Sequence, residues 1–349
     1  MGALIGVILH AIGGFAAGSF YIPFKMVKKW KWESAWFVLG IAAWLLSPII
    51  FASCTVSDLG NVLMSADSET NMWTFVFGML WGIGGLTFGL SMRYLGVSLG
   101  MTVALGFCTA FGTIIPPLYK GELMGLLNTP EGKLTILGII LCLVAIAIVG
   151  YAGMRKEKEE KLAGKKNEAV EEFDFKKGIL VATISGILSA CFAFGLEAGA
   201  PIADAALKSG TKDLFKNNAI LIWILWGGIT INGLYSLFLN FKNKSFSDYT
   251  DSDAPLTKNY LWAILGGVTW YLQFFFYGMG TTFLGKDFEF ASWSIHMAFI
   301  ILFSNVWGIL FNEWKGASSK TKTVLGLGLF VILLSIILIG LANTLAGYF

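Results

Sequence analysis

Three ionisable side chains interrupt the apolar stretches of this chain: His10, Glu197 and His296. In hydrocarbon such groups are costly, so each is a candidate for function by default. An imidazole takes and releases a proton near neutral pH, and a nearby carboxylate tunes that exchange. Glu289, Trp293 and His296 are spaced by four and three, which puts them on one helical face. His10, Glu197, Glu289 and His296 are therefore the candidates for proton handling. A plainer reading stands beside this one. The histidines would bond neighbouring helices, Glu197 would reach back to the interface, and Glu289 would be a loop carboxylate in water.

A second constellation is built of rings and amides. Trp81–Gly96, WGIGGLTFGLSMRYLG, and Trp270–Gly285, WYLQFFFYGMGTTFLG, share Trp, Gly, Leu and Gly at the same spacing, with Phe88 matched by Tyr277. Indole and phenyl faces can stack on the C–H face of a sugar ring, and the Gln273 amide can hydrogen-bond a neutral polyol. Gly82, Gly84 and Gly85 would leave room beside such a ligand. The candidate substrate-binding residues are Trp81, Gly85, Thr87, Trp270, Gln273 and Tyr277. Asn232 and Asn305 are expected to join helices instead, and most of the rings around Trp270 to serve packing.

The elements that must position these groups follow from hydropathy. Hydrophobic residues make up 56% of the chain and charged residues 13%, about half the usual charged share. The apolar residues form ten runs, roughly 4–24, 34–53, 72–92, 97–118, 133–152, 178–199, 217–240, 260–284, 290–311 and 323–345. Each approaches the ~20 residues needed to cross a bilayer. In lipid each must be a helix, because no water is present to satisfy open backbone groups. Lys and Arg gather in alternate loops, most densely between Arg155 and Lys177, while 54–71 carries only acidic charge. The positive-inside rule places the basic loops in the cytoplasm and both termini on the outer face. The basic clusters are thus topology signals and give no reason to expect nucleic acid as a partner. By helical rise, His10 and His296 then lie ~9 Å in from the outer end of their helices, with Glu197 near the same side.

The charged segment 153–177 divides the chain into 1–152 and 178–349, each with five runs. Trp36 and Gly40 match Trp223 and Gly227; Leu137 and Gly138 match Leu325 and Gly326; Phe15 and Gly18 match Phe192 and Gly195. Five is odd, so the second half must enter the membrane from the opposite side, as in inverted-repeat transporters. The expected fold is an all-α integral membrane protein with ten transmembrane helices in two inverted five-helix repeats, joined by a charged cytoplasmic linker. Cys54, Cys108, Cys142 and Cys191 show neither metal-like nor disulfide-like spacing. Nothing calls for a cofactor or a metal. No basic residue precedes the first run, so a cleaved signal peptide is not expected. The H-E-x-x-H, G-x-S-x-G and nucleotide-loop patterns are missing, which argues against an enzyme or an ATP-driven pump.

The segments FYIPFKMVKKWKWE (20–33), MRYLGVSLG (92–100), WYLQFFFYGMG (270–280), SWSIHMAF (292–299) and EWK (313–315) resemble the L-rhamnose–proton symporter family of the drug/metabolite transporter superfamily. The resemblance spans essentially the whole chain. It implies a multi-pass bacterial inner-membrane protein that imports a neutral deoxy sugar with a proton. The motif positions it carries over are Tyr21, Pro23, Lys25, Trp32, Glu33, Arg93, Trp270, Gln273, Trp293 and His296. The chain departs from the family pattern at Gly85, Thr87 and Glu197, where Asn is expected, and at Ala200, where Lys is expected. The alternatives are a proton-coupled exporter or exchanger of another small metabolite, or a membrane sensor that transports nothing. Oligomeric state is left open.

Overall fold

The computed structural model describes residues 2–95, 97–164, 174–284 and 291–346. Every element among them is helical. Ten long helices follow the ten runs: α1 (Gly2–Ser19), α2 (Trp32–Thr55), α3 (Ser68–Leu95), α4 (Val97–Tyr119), α5 (Pro130–Leu162), α6 (Phe175–Ala198), α7 (Asn218–Asn243), α8 (Leu256–Thr282), α9 (Ala291–Leu310) and α10 (Ser319–Ala346). Nine candidate membrane spans stand among the described residues. The helix outside that set is α8, long enough at 27 residues but diluted by the Trp, Tyr and Gln of the aromatic segment.

Local chemistry sets several boundaries. Thr129 caps α5 by accepting from Gly132 N at 3.1 Å, and Pro130 occupies the first turn, where a missing N–H costs nothing. Lys244 ends α7 in the left-handed region, at φ 54°. Helix α2 contains an irregularity that the hydropathy pattern does not reveal. Residues Ile41–Leu46 wind as a π-turn, and Ser47 N–H bonds to Ala42 O, five residues back. Pro48 follows immediately. It has no N–H to offer the Trp44 carbonyl four residues earlier, and its ring crowds that carbonyl. The wider turn relieves the conflict.

Contacts divide the chain into two interleaved units. The first comprises Met1–Gly14, Gly84–Ala193 and Gly280–Phe349. Its centre is the α5–α10 seam, where Ile139, Cys142 and Ile146 share a buried cluster with Ile332, Ile336 and Ile339, joined by Ile295 and Ala298 of α9. Cys108, Cys142 and Cys191 are buried and Cys54 is exposed. The end of α5 continues as a charged helix through the first part of the linker. There Glu159 accepts from Ser318 N and Thr321 Oγ1, both at 2.7 Å, and so ties α5 to the start of α10.

The second unit comprises Phe15–Ile83 and Phe194–Met279. Lipid tails are as apolar as side chains, so close backbone packing must hold these helices together. A Cβ on Gly78 of α3 would overlap the Ile224 carbonyl of α7, and one on Gly227 of α7 would overlap the Phe75 carbonyl of α3. The two glycines let the helices touch backbone to backbone.

At one end of the second unit a polar knot joins the loop after α1 to the segment after α7. Asn243 Nδ2 and Ser245 Oγ donate to Glu33 Oε1 at 2.8 and 2.9 Å. Lys31 N and Ser34 Oγ both donate to Asp248 Oδ2 at 2.7 Å. Asn259 pairs with the Lys28 backbone in both directions, at 3.0 and 2.8 Å. Trp30 packs edge-on to Tyr260 at 4.9 Å.

Candidate functional site

In the first unit, the structure brings together two of the four groups assigned to proton handling. His10 of α1 and His296 of α9 are both fully buried, with ring centroids 6.1 Å apart. Trp293, one turn before His296, has its ring 6.4 Å from it, as the shared helical face predicts. The indole is held on three sides. Its Nε1 donates to Cys108 O at 3.1 Å, its face stacks on Phe192 at 5.7 Å, and Gly112 lies so close that a Cβ there would sit 2.5 Å from Nε1. Beside it, Thr113 and Ser294 share a hydroxyl–hydroxyl bond of 2.8 Å. Gly280, just after the second aromatic segment, clears the space for His10: a Cβ there would lie 2.9 Å from the imidazole Nε2 and 3.0 Å from Gly6 O. Glu289 lies outside the described residues. Glu197 belongs to the second unit and is exposed.

The second unit holds the aromatic constellation. Trp81 of α3 and Trp270 of α8 meet with ring centroids 5.6 Å apart, so the two matched segments converge. Phe274 joins both, at 5.7 Å from Trp81 and 4.9 Å from Trp270. Each such pair adds ~0.5–1.5 kcal/mol beyond area burial, which makes the cluster a stiff wall. Gln273 is buried, and its Nε2 donates to Trp270 O at 2.9 Å, one turn back on its own helix. That bond fixes the amide against the wall. Tyr277 is also buried.

The sequence reading missed Trp44. The π-turn delivers its ring edge-on to Trp270 at 5.2 Å and to Trp81 at 6.4 Å, both at 89°. The available signal was Pro48, four residues after Trp44, because a proline inside a helix disturbs the carbonyl one turn before it.

The glycines after Trp81 need correction. Gly82 and Gly84 do not leave ligand space. A Cβ on Gly82 would press on Gly228 O at 3.1 Å, and one on Gly84 would strike the Ser189 backbone at 2.5 Å, so both are helix-packing positions. Ser185 Oγ also donates to Gly84 O at 2.8 Å. Gly85 alone of the three has nothing within 4 Å of its Cβ position. The Thr87 hydroxyl bonds back to Gly84 O at 3.1 Å. Gly85 and Thr87 belong to the first unit, whereas Trp81, Trp270, Gln273 and Tyr277 belong to the second.

Asn232 does join helices: its Nδ2 donates to Gly228 O at 3.1 Å and Gly82 O at 3.4 Å. Asn305 instead bonds Ile301 O of its own helix at 2.8 Å. It faces a cavity of about 290 Å³ in the first unit, lined also by Leu105, Ile146, Lys156 and Glu313. Of the carried-over motif positions, Glu33 is a buried acceptor in the polar knot. Trp32 stacks on Trp36 at 5.2 Å, and Lys25 lies over the Tyr21 ring at 5.9 Å. Pro23 sits in the short helix Tyr21–Phe24, and Arg93 is exposed in the last turn of α3.

Residues 2–345 match the family model described as L-rhamnose-proton symport protein (RhaT). An L-rhamnose-proton symporter of Yersinia pestis is 37% identical over 341 residues, covering 97% of both chains. Proteins of the same description from Yersinia pseudotuberculosis and Pectobacterium atrosepticum match at the same identity and coverage. A match of this extent leaves no room for an enzyme assignment and makes the chain a multi-pass membrane transporter, a member of the L-rhamnose-proton symport protein family.

Proposed function

We propose that this chain imports a neutral deoxy sugar, L-rhamnose first, together with a proton, across a bacterial inner membrane. The observation that carries this reading is the end-to-end match to L-rhamnose-proton symporters. The geometry supports a division of labour. Trp81, Trp270 and Phe274 offer ring faces to the sugar, with Gln273 as the polar contact and Tyr277 one turn further on. His10 and His296 hold the proton in a buried pair, with Glu289 as the carboxylate that adjusts its exchange.

In this reading the ten helices form two inverted repeats, 1–152 and 178–349, with segment 153–177 in the cytoplasm and both termini outside. One feature supports the repeat. The boundaries between the two units fall within α1, α3, α6 and α8, and α1 corresponds to α6, and α3 to α8, in the two halves. A membrane potential supplies ~2.3 kcal/mol per charge per 100 mV, so one inward proton can drive more than tenfold accumulation. The test is uptake of radiolabelled L-rhamnose into proteoliposomes, with and without an imposed pH gradient. Accumulation that needs the gradient and collapses with a protonophore is expected. Uptake indifferent to the protonophore would defeat the symport reading.

A further inference from the structure

We infer that Trp44 contacts the substrate, with its indole N–H donating a hydrogen bond to a sugar hydroxyl; this rests on the reading of Trp81 and Trp270 as the sugar wall. Trp44 is 2% exposed, and its Nε1 has no hydrogen-bond partner among the described residues. Indole is a donor only, and a buried donor left without an acceptor is rare enough to need a cause. The cause cannot be looseness. Gly40 lies under the ring, and a Cβ there would come within 2.8 Å of Trp44 Cζ3. The π-turn sets the ring's direction, and Pro48 maintains the π-turn. Such turns inside α-helices are frequent at functional sites.

What this rigid ring faces is informative. It stands perpendicular to both Trp81 and Trp270. An aromatic face accepts an N–H only weakly, whereas a hydroxyl of a sugar lying on those faces is a full acceptor. Trp30, Trp223 and Trp226 also bury an unpartnered Nε1, but all three are less deeply buried; Trp30 packs on Tyr260 at 4.9 Å, and Trp223 and Trp226 pair with each other at 5.9 Å. Among the described residues, only Trp44 combines the orphaned donor, the deformed helix and both matched tryptophans. The aromatic wall then reads the apolar face of the sugar and Trp44 reads one hydroxyl.

The experiment is equilibrium binding of radiolabelled L-rhamnose to the full-length protein in nanodiscs, for wild type, W44F and W270A. Phe keeps a ring but removes the donor, so W44F should bind about tenfold more weakly, the loss of one hydrogen bond, while its smaller buried ring lowers the thermal midpoint without unfolding the protein. One monodeoxy rhamnose should bind the wild type about tenfold more weakly than rhamnose yet bind W44F as well as rhamnose does, which assigns the hydroxyl. If W44F binds rhamnose like wild type while W270A abolishes binding, Trp44 is not a contact and the wall stands. If the wild type does not bind rhamnose, both fall. Where W44F does not fold, indole N–H resonances of the ¹⁵N-labelled wild type serve: one should move downfield on adding rhamnose, and a spectrum that stays still overturns the proposal.

Discussion

The substitution Gly280→Ala replaces a hydrogen by a methyl group at the point where α8 meets His10. The new Cβ would lie 2.9 Å from His10 Nε2, 3.0 Å from His10 Cδ2 and 3.0 Å from Gly6 O. Real Cβ contacts almost never come this close. Gly6 O belongs to helical backbone and cannot yield, so the imidazole must move. His10 is fully buried with His296 6.1 Å away, and a shift of its ring changes the spacing of the pair. Overpacking of this kind costs ~1–3 kcal/mol. If that cost falls on the arrangement that exchanges the proton, the conversion of ~1.4 kcal/mol per decade gives a ~5- to 150-fold loss of proton-driven uptake. The assay separates this from unfolding. Proton-driven accumulation should fall by that factor, while rhamnose counterflow, which needs no net proton movement, should be largely retained. Gly326→Ala, where nothing lies within 4 Å of the Cβ position, should leave both unchanged. A G280A protein with wild-type accumulation would refute the assignment of this pair to the proton.

Two further outcomes follow from the packing. Glu33→Ala removes the acceptor shared by Asn243 and Ser245 and leaves Ser245 Oγ only its 3.2 Å bond to Asn240 Oδ1, so it should lower stability by ~1 kcal/mol, read as a drop in thermal midpoint. Glu33→Gln, which keeps the acceptor oxygen, should recover most of it, and equal loss in both variants would assign the effect to charge instead. Gly84→Ala should reduce folded yield and thermal midpoint because its Cβ strikes the Ser189 backbone, whereas Gly85→Ala, with open space, should not. Equal tolerance of the two would contradict the α3–α6 contact in the first unit.

Much of the architecture was legible because lipid is an unforgiving solvent. A run of about twenty apolar residues has one way to satisfy its backbone, so the ten runs became ten helices with little room for another outcome. Repeat matching was equally productive, since Trp81 and Trp270 were singled out by spacing alone and meet at 5.6 Å. Glycines were harder. Gly82, Gly84 and Gly85 are indistinguishable in a sequence, yet two face a neighbouring backbone and one faces open space. A hydropathy scan also has no term for the strain Pro48 imposes, so the π-turn and Trp44 went unseen.

By itself, the sequence determined which segments form long apolar helices, which rare ionisable groups lie in the apolar runs and to which family the chain belongs. All three depend on residue type and order along a line. Only the tertiary structure decided which of those groups meet: that His10 reaches His296 through the gap at Gly280, and that Trp44 completes the Trp81–Trp270 cluster. The physical reason is that helix contacts in lipid are set by backbone approach and side-chain shape. Those properties belong to pairs of surfaces and cannot be read from either segment alone.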